Sequence, residues 1–206
     1  MFIVETGASE PTFKRSLQTM FEDRKSVFVD LLKWDVPVLE DRFEIDEFDN
    51  ERATYIIVAD ECGDHLGSAR LLPTGGRHIL GSIFPELCAA PPPTGRDIFE
   101  ITRFCLSRRQ STAARRETRN RLVSALVDYA LKTGIRTYTG VAEMSWLQQI
   151  LSFGWDCRPL GVPKRYDCGL LAALAIRITP LSPALLDANG IWRSEDERFV
   201  SLPQAA

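Results

Sequence analysis

Apolar residues recur at three- and four-residue steps near the start of the chain. Phe13, Leu17, Met20, Phe21, Val27, Phe28, Leu31 and Leu32 fit one face of an amphipathic helix over residues 13–32. From Asp35 to Asn50 the period is lost, and Pro37 argues against a continuous helix. Thr54–Asp60 and His65–Leu72 read as strands joined by the hairpin turn Glu61-Cys62-Gly63-Asp64, while three consecutive prolines make 89–95 a loop. In Phe99–Leu106 the alternation of apolar positions breaks after Ile101, which predicts either a bulge or a strand buried on both faces. A helix over 113–133 carries the stripe Leu122, Leu126, Tyr129, Ala130 and stops at Gly134. Ile135–Val141 reads as a strand, Glu143–Ser152 as a short helix, and the apolar run Leu170–Ile178 as a central strand. Residues 180–206, with Pro180, Pro183 and Pro203, read as peripheral. Helices interspersed with many strands predict an α/β domain built around one sheet.

A length of 206 residues suits one domain, and 45% hydrophobic with 26% charged residues is the balance of a soluble globular chain. A core of that size needs neither metal nor disulfide. No window approaches 18 uncharged apolar residues, and the N-terminus lacks a basic stretch followed by an apolar run, so neither a membrane span nor a secretory signal is expected. Cysteines 62, 88, 105, 157 and 168 are odd in number, irregularly spaced and without a CxxC, as expected of reduced thiols in a cytoplasm. GxGxxG, GxxxxGK[ST], GxSxG and HExxH are all absent. Cys62, His65 and His78 lack a fourth ligand at sensible spacing, so no metal site is expected.

Charge is unevenly spread around a net value of −3. Asp35 to Glu51 holds eight carboxylates and one base, Arg42; Arg103 to Arg121 holds seven arginines and one acid, Glu117. Such runs are either solvated faces or an acidic pole for a cationic ligand and a basic pole for an anionic partner. Nucleic acid is a poor fit, because the chain is net acidic and the basic run has no interleaved aromatics.

Several motifs stand in order along the chain. Arg24-x3-Phe28-x5-Trp34 is followed by Glu44-x-Asp46-x2-Asp49-Asn50, with Tyr55 opening the next strand. Then come Ser68-Ala69-Arg70-Leu71, Phe84-Pro85 and Phe99-Glu100-Ile101-Thr102-Arg103-Phe104. Over residues 1 to about 160 this ordered set resembles the acyl-homoserine-lactone synthases, the LuxI-type autoinducer synthases. The resemblance implies a single-domain, three-layer α/β sandwich with a central mixed sheet, like the acetyltransferases (GNAT-like). It divides residues 1–206 into an S-adenosylmethionine lobe (about 1–75), an acyl-donor and acyl-chain part (about 76–180) and a tail (181–206). It further implies an acyltransferase without a cofactor. S-adenosylmethionine, a substrate, is joined to an acyl chain delivered by acyl carrier protein or coenzyme A.

The residue types make chemical sense beside that resemblance. S-adenosylmethionine carries a sulfonium, an ammonium and an adenine ring. Phe28 and Trp34 offer it aromatic faces, where a cation gains roughly 0.5–2 kcal/mol. The alternative is that both are ordinary core aromatics, which suits Phe28 on the apolar stripe better than Trp34, which lies past it beside Lys33 and Asp35. Asp46 and Asp49 repel one another unless a cation intervenes; Arg24 and Arg70 could be that cation within a structural ion cluster, a reading compatible with ligand binding. The resemblance adds Arg103, Phe84 and Phe104 to the S-adenosylmethionine set. Glu100 lies between apolar neighbours, where partial desolvation suits a general base; the bland alternative is an ion pair to Arg103. Arg103 itself fits a substrate carboxylate. Arg108, Arg109, Arg115 and Arg116 are the candidate docking groups for the donor, and the absence of a glycine-rich phosphate loop there favours a carrier protein. Gly140, Val141, Met144, Trp146 and Leu147 are the candidate acyl pocket. Gly140 stands where relatives that prefer 3-oxo chains commonly carry threonine, so an unsubstituted third carbon is expected, unless Thr139 supplies the hydroxyl. A rival activity is acylation of a different amine, and a non-enzymatic rival is a ligand-sensing α/β domain.

Overall fold

The computed structural model describes residues 2–6, 15–194 and 199–201, so Phe13 of the first helix and Pro203 of the tail lie outside the described residues. In chain order the elements are β1 (Phe2–Thr6), α1 (Arg15–Arg24), a π-helical segment (Lys25–Leu31), β2 (Val38–Leu39), β3 (Phe43–Glu44), β4 (Thr54–Ala59) and β5 (His65–Pro73). They continue with α2 (Ile79–Ser82), a 3₁₀ turn (Pro85–Leu87), β6 (Ile98–Leu106), α3 (Thr112–Thr133), β7 (Thr137–Glu143) and α4 (Met144–Leu151). The chain ends with β8 (Asp156–Pro159), β9 (Lys164–Tyr166), β10 (Gly169–Arg177), α5 (Ser182–Asp187) and β11 (Phe199–Ser201). Packing divides it into two compact units, residues 1–71, 103–122 and 194–206 in one, and 72–102 with 123–193 in the other.

In the first unit β11, β1, β4 and β5 are neighbours in that order; β1 and β11 run parallel and the other pairs antiparallel. All six residues of β4 are buried, so that strand is covered on both faces. Leu17, Met20 and Phe21 of α1 form the buried stripe that the apolar period predicts. The helix then changes its hydrogen bonding. Leu32 N–H donates to the Val27 carbonyl and Trp34 N–H to the Phe28 carbonyl, both at 2.9 Å, longer loops than an α-helix closes. π-helical turns of this kind concentrate at functional sites. Periodicity alone predicted the helix but not this change.

The second unit also holds a mixed sheet. β6 pairs with β7 in parallel through Ile98–Thr137, Phe99–Tyr138 and Glu100–Thr139. β7 then pairs antiparallel with β10, and β8 and β9 add to β10. Gly134, at φ +79°, ends α3 where the sequence placed its stop. Side chains alternate along β7. Tyr138 donates its hydroxyl to the Leu126 carbonyl of α3 at 2.9 Å, whereas Val141 packs with Leu80, Leu87, Leu171 and Ala173 on the other face. No described helix is long and apolar enough to cross a membrane.

One buried polar chain in the first unit ties α1 to β5. His65 Nδ1 lies 2.7 Å from Asp23 Oδ2, its Nε2 lies 2.9 Å from Ser68 Oγ, and its backbone N–H donates to Thr19 Oγ1. Both ring nitrogens are satisfied by a neutral imidazole that donates to Asp23 and accepts from Ser68. Burial disfavours the charged ring and lowers the His65 pKa, and the attraction of Asp23 only partly offsets it. A histidine whose folded pKa is depressed contributes stability that is complete above its unfolded value, about 6.5, and is lost as pH falls below it. Denaturant midpoints measured from about pH 8 to pH 5 should therefore decline, and His65→Asn should flatten that decline. Equal slopes in the two proteins would show that another group titrates.

Candidate active site

The acid-rich segment after the first helix folds around three arginines. Between β2 and β3 the turn places Glu40 and Asp41 at φ +53° and +52°, and Arg42 N–H donates back to the Leu39 carbonyl. Two consecutive left-handed residues make a primed hairpin turn. It delivers Glu44, fully buried, to the interior. Arg24 donates to Glu44 from Nε at 2.5 Å and to both oxygens of Asp49 at 2.8 Å. Arg70 reaches Asp46 at 2.5 Å and Asp49 at 2.8 Å. Arg103 reaches Glu44 at 3.0 Å and Asp46 at 2.7 Å. Tyr55 donates its hydroxyl to Asp49 at 2.8 Å.

Three guanidinium groups thus face three carboxylates, and this part of the acidic run is already balanced. Burial opposes charge on Asp49, yet Arg24 and Arg70 overcome it and hold its carboxyl well below the ordinary carboxylate range. Burial likewise opposes charge on Arg24, and Asp49 and Glu44 more than restore it. Burial, reinforced by the Asp49 charge, pushes the Tyr55 hydroxyl up, so it stays a donor. Glu44 and Tyr55 belong to the ordered motifs, but sequence reasoning gave them no role. The signal for Glu44 was its even spacing from Asp46 beside the apolar Phe43.

Phe28 and Trp34 stack at 4.9 Å between ring centroids with planes 12° apart. Phe28 is buried and Trp34 half-buried. Phe28 lies within the π-helical segment and Trp34 just beyond it, with the Trp34 N–H donating to the Phe28 carbonyl. The Arg103 guanidinium lies 5.5 Å from the Phe28 centroid and 5.9 Å from that of Trp34, so this aromatic wall already receives a cation. Arg103 adopts φ +49°, a left-handed conformation uncommon for a side-chain-bearing residue. Burial along β6 falls at 100 and 102, then at 105, so the break in alternation foreseen after Ile101 is realised as a change of parity at Arg103. Phe104 follows it, half-buried. Arg24, Phe28, Trp34, Asp46, Asp49, Arg70 and Arg103 are therefore brought together within the first unit.

Phe84 packs in the second unit instead, edge-on to Tyr166 at 5.1 Å and against the Leu80–Leu87 cluster. Glu100 is also there and fully buried. Ile79 N–H donates to its Oε2 at 2.7 Å and Leu80 N–H to its Oε1 at 2.8 Å, so the carboxylate anchors α2. Arg103 makes its ion pairs with Glu44 and Asp46, whereas the sequence had offered Glu100 as its bland partner. Among the acyl-pocket candidates, Leu147 is buried and Met144 half-buried, and Trp146 stands edge-on to Phe153 at 6.2 Å. Gly140 shares the face of Tyr138 toward α3, and Val141 lies on the opposite face. A Cβ at Gly140 would stand 3.2 Å from the Ile101 carbonyl. Thr139, fully buried on the Val141 side, keeps its hydroxyl without a hydrogen-bond partner among the described residues.

Of the arginines after β6, Arg108 and Arg116 are exposed and Arg115 half-buried at the start of α3. Arg109 is committed to structure. It donates to Asp23 and to the His65 carbonyl, both at 3.0 Å.

The family described as autoinducer synthase matches residues 10–178. The acyl-homoserine-lactone synthase of Rhizobium etli is 36% identical over 159 residues, 72% of this chain and 71% of that protein. The structure of MesI, a CoA-dependent acyl-homoserine lactone synthase, superposes with a TM-score of 0.81 at 28% identity, covering 94% of this chain and 97% of MesI. TofI in a ternary complex with an inhibitor and MTA gives 0.76 at 26% identity, covering 91% of this chain and 96% of TofI. At the level of fold alone, an acyl-CoA N-acyltransferase from Pseudomonas aeruginosa is similar, with a TM-score of 0.58 at 15% identity over 85% of this chain and 98% of that one.

Removing one member of a buried ion cluster leaves its partners charged and unpaired, typically at a cost of about 3–5 kcal/mol. Arg24→Met should lower the unfolding free energy by about that amount in denaturant titrations. Arg42→Met, which breaks an exposed pair with Glu22, should cost under about 1 kcal/mol. Similar costs for the two would show that the buried cluster is not the stabilising feature.

Proposed function

The chain belongs to the autoinducer synthase family, an acyltransferase family, and from that premise we propose that it makes an N-acyl-L-homoserine lactone from S-adenosylmethionine and an acyl thioester. The observation that carries this reading is the cluster of the first unit, where the Phe28–Trp34 stack adjoins three paired arginines and carboxylates. An aromatic wall that already receives the Arg103 cation suits a sulfonium. The Arg103 fork suits the substrate carboxylate.

Chemistry proceeds in two steps. The ammonium of S-adenosylmethionine loses a proton to Glu100, directly or through water, and its nitrogen attacks the thioester carbonyl. Backbone N–H groups near the break in β6 hold the oxyanion. The substrate carboxylate then attacks the carbon beside the sulfonium and expels 5′-methylthioadenosine; because the sulfonium is a good leaving group, positioning suffices. TofI, similar over most of its length, has been solved with MTA, and MesI is described as CoA-dependent, which supports both reactants. The donor is an acyl carrier protein or acyl-coenzyme A, and either is drawn by Arg108, Arg115 and Arg116. All five cysteines are free, as suits a protein of the cytoplasm.

Gly140 offers no hydroxyl on its face, and an unpartnered buried carbonyl costs roughly 1–3 kcal/mol, about ten- to hundredfold in preference. We infer an acyl group unsubstituted at its third carbon. Thr139 carries a buried hydroxyl on the face of β7 shared with Val141 and with the paired Glu100, so a 3-oxo group meets a donor only if the chain runs along that face.

Methylthioadenosine release in the presence of S-adenosylmethionine and an acyl thioester tests the activity, and mass spectrometry of the lactone reads its chain. Acylation of some other amine would yield no methylthioadenosine. Glu100→Gln should depress release at least about a hundredfold, within the range general-base catalysis supplies. Near wild-type turnover would remove Glu100 from the reaction. Arg108→Glu with Arg115→Glu and Arg116→Glu should raise the KM for the donor but not for S-adenosylmethionine, and added salt should shrink the effect, because exposed charges are screened over about 8–10 Å. Arg109 is left out of that set because it anchors the buried Asp23. An unchanged donor KM at low salt would make the run a solvated face.

A further inference from the structure

A groove of about 730 Å³ opens at the start of β7, within the second unit. That volume is in the range of small-molecule sites, about 300–1,000 Å³. Its floor is one face of three strands. Thr137 of β7 pairs with Arg177 of β10, which pairs in turn with Asp156 of β8, and Ala175 of β10 pairs with Arg158. Since side chains alternate, these five residues share that face. Main-chain hydrogen bonds fix its end. Arg136 and Thr137 donate their N–H groups to the Asp97 carbonyl at 2.9 and 3.2 Å, and Ile178 N–H donates to the Arg136 carbonyl at 2.8 Å. The acyl-pocket candidates begin further along β7, at Gly140.

Charge in the groove is unbalanced. Arg136, Arg158 and Arg177 line it together with Asp97 and Asp156, so one positive charge is left over. Arg136 leans toward Asp97 at 3.9 Å. Arg158 and Arg177 are exposed and form no ion pair among the described residues, although Asp156 stands across from Arg177 in the strand register. The two arginines are diagonal neighbours on adjacent strands, a backbone separation of roughly 7–8 Å that long side chains bridge. A guanidinium fork matches a carboxylate through two parallel hydrogen bonds, and one carboxylate balances the surplus charge. The other wall is aliphatic, made by Leu131 of α3, Ile135 and Ile178. None of the described residues lining the groove is aromatic, so it has no stacking platform for a nucleotide base.

We propose that this groove binds the carboxylate of an aliphatic acid, with Arg158 and Arg177 on its oxygens and Leu131, Ile135 and Ile178 against its chain. A phosphate monoester, close to doubly charged at neutral pH, exceeds the surplus and crowds Asp156. The groove is a binding site without chemistry of its own. It stands apart from the acyl-transfer reading, because neither arginine belongs to the residues assigned to that reaction.

Isothermal titration of the full chain with octanoate is the test. Octanamide keeps the chain and loses the charge, whereas acetate keeps the charge and loses the chain; each should bind about tenfold or more weaker than octanoate. Arg158→Gln and Arg177→Gln remove exposed groups that have no ion pair, so their denaturant midpoints should match the wild type. Their octanoate affinity should fall about tenfold or more. Arg177→Lys retains the charge without the fork and should fall between. Unchanged octanoate affinity in both Gln variants would put the acid elsewhere on the protein and overturn the proposal. Equal binding of octanoate and octanamide, or tighter binding of inorganic phosphate, would overturn it as well. Methylthioadenosine release by the two Gln variants should equal that of the wild type, and a loss would make the groove part of the donor path rather than a separate site. Failure of the wild type to release methylthioadenosine would sink the enzyme reading alone, since octanoate binding is measured without turnover.

Discussion

Six charges buried in one place set the terms for the first unit. Arg24, Arg70 and Arg103 cannot leave water without the carboxylates of Glu44, Asp46 and Asp49, and those carboxylates cannot crowd together without the arginines. The constraint is mutual, so it fixes the turn that delivers Glu44, the irregular loop that carries Asp46 and Asp49, and the end of α1. The aromatic stack beside the cluster receives the Arg103 guanidinium.

Strand β6 bears the other constraint. Glu100 and Thr102 are buried, and beyond Arg103 the buried residue is Cys105, so the burial parity changes. The left-handed backbone at Arg103 is the physical means of that change. Glu100 is fully buried, and Arg103, three residues later, pairs with Glu44 and Asp46. Strain at such a position persists only when its surroundings over-determine it, and the bonds from Arg103 to Glu44 and Asp46 do so.

Glu100 shows how a buried carboxylate orders a neighbouring segment. Its two oxygens accept the first amides of α2, which gives that short turn a fixed place. The segment with His78 is consequently tied to the same carboxylate.

Much of this was legible along the chain. Apolar periodicity determined α1, the β4–β5 hairpin, α3 with its stop at Gly134, and β10, because those patterns depend only on local geometry and burial. The ordered motifs pointed to the family, and they contain the residues of the ion cluster and the aromatic stack. The π-helical turn, the primed turn at Glu40–Asp41, the short edge strands β8 and β9 and the pairing of β11 with β1 escaped, since each is stabilised by contacts distant in sequence. Which acid meets which arginine and the place of Phe84 against Tyr166 were decided by tertiary structure alone. Pairing energy depends on distance and desolvation, and a one-dimensional spacing specifies neither.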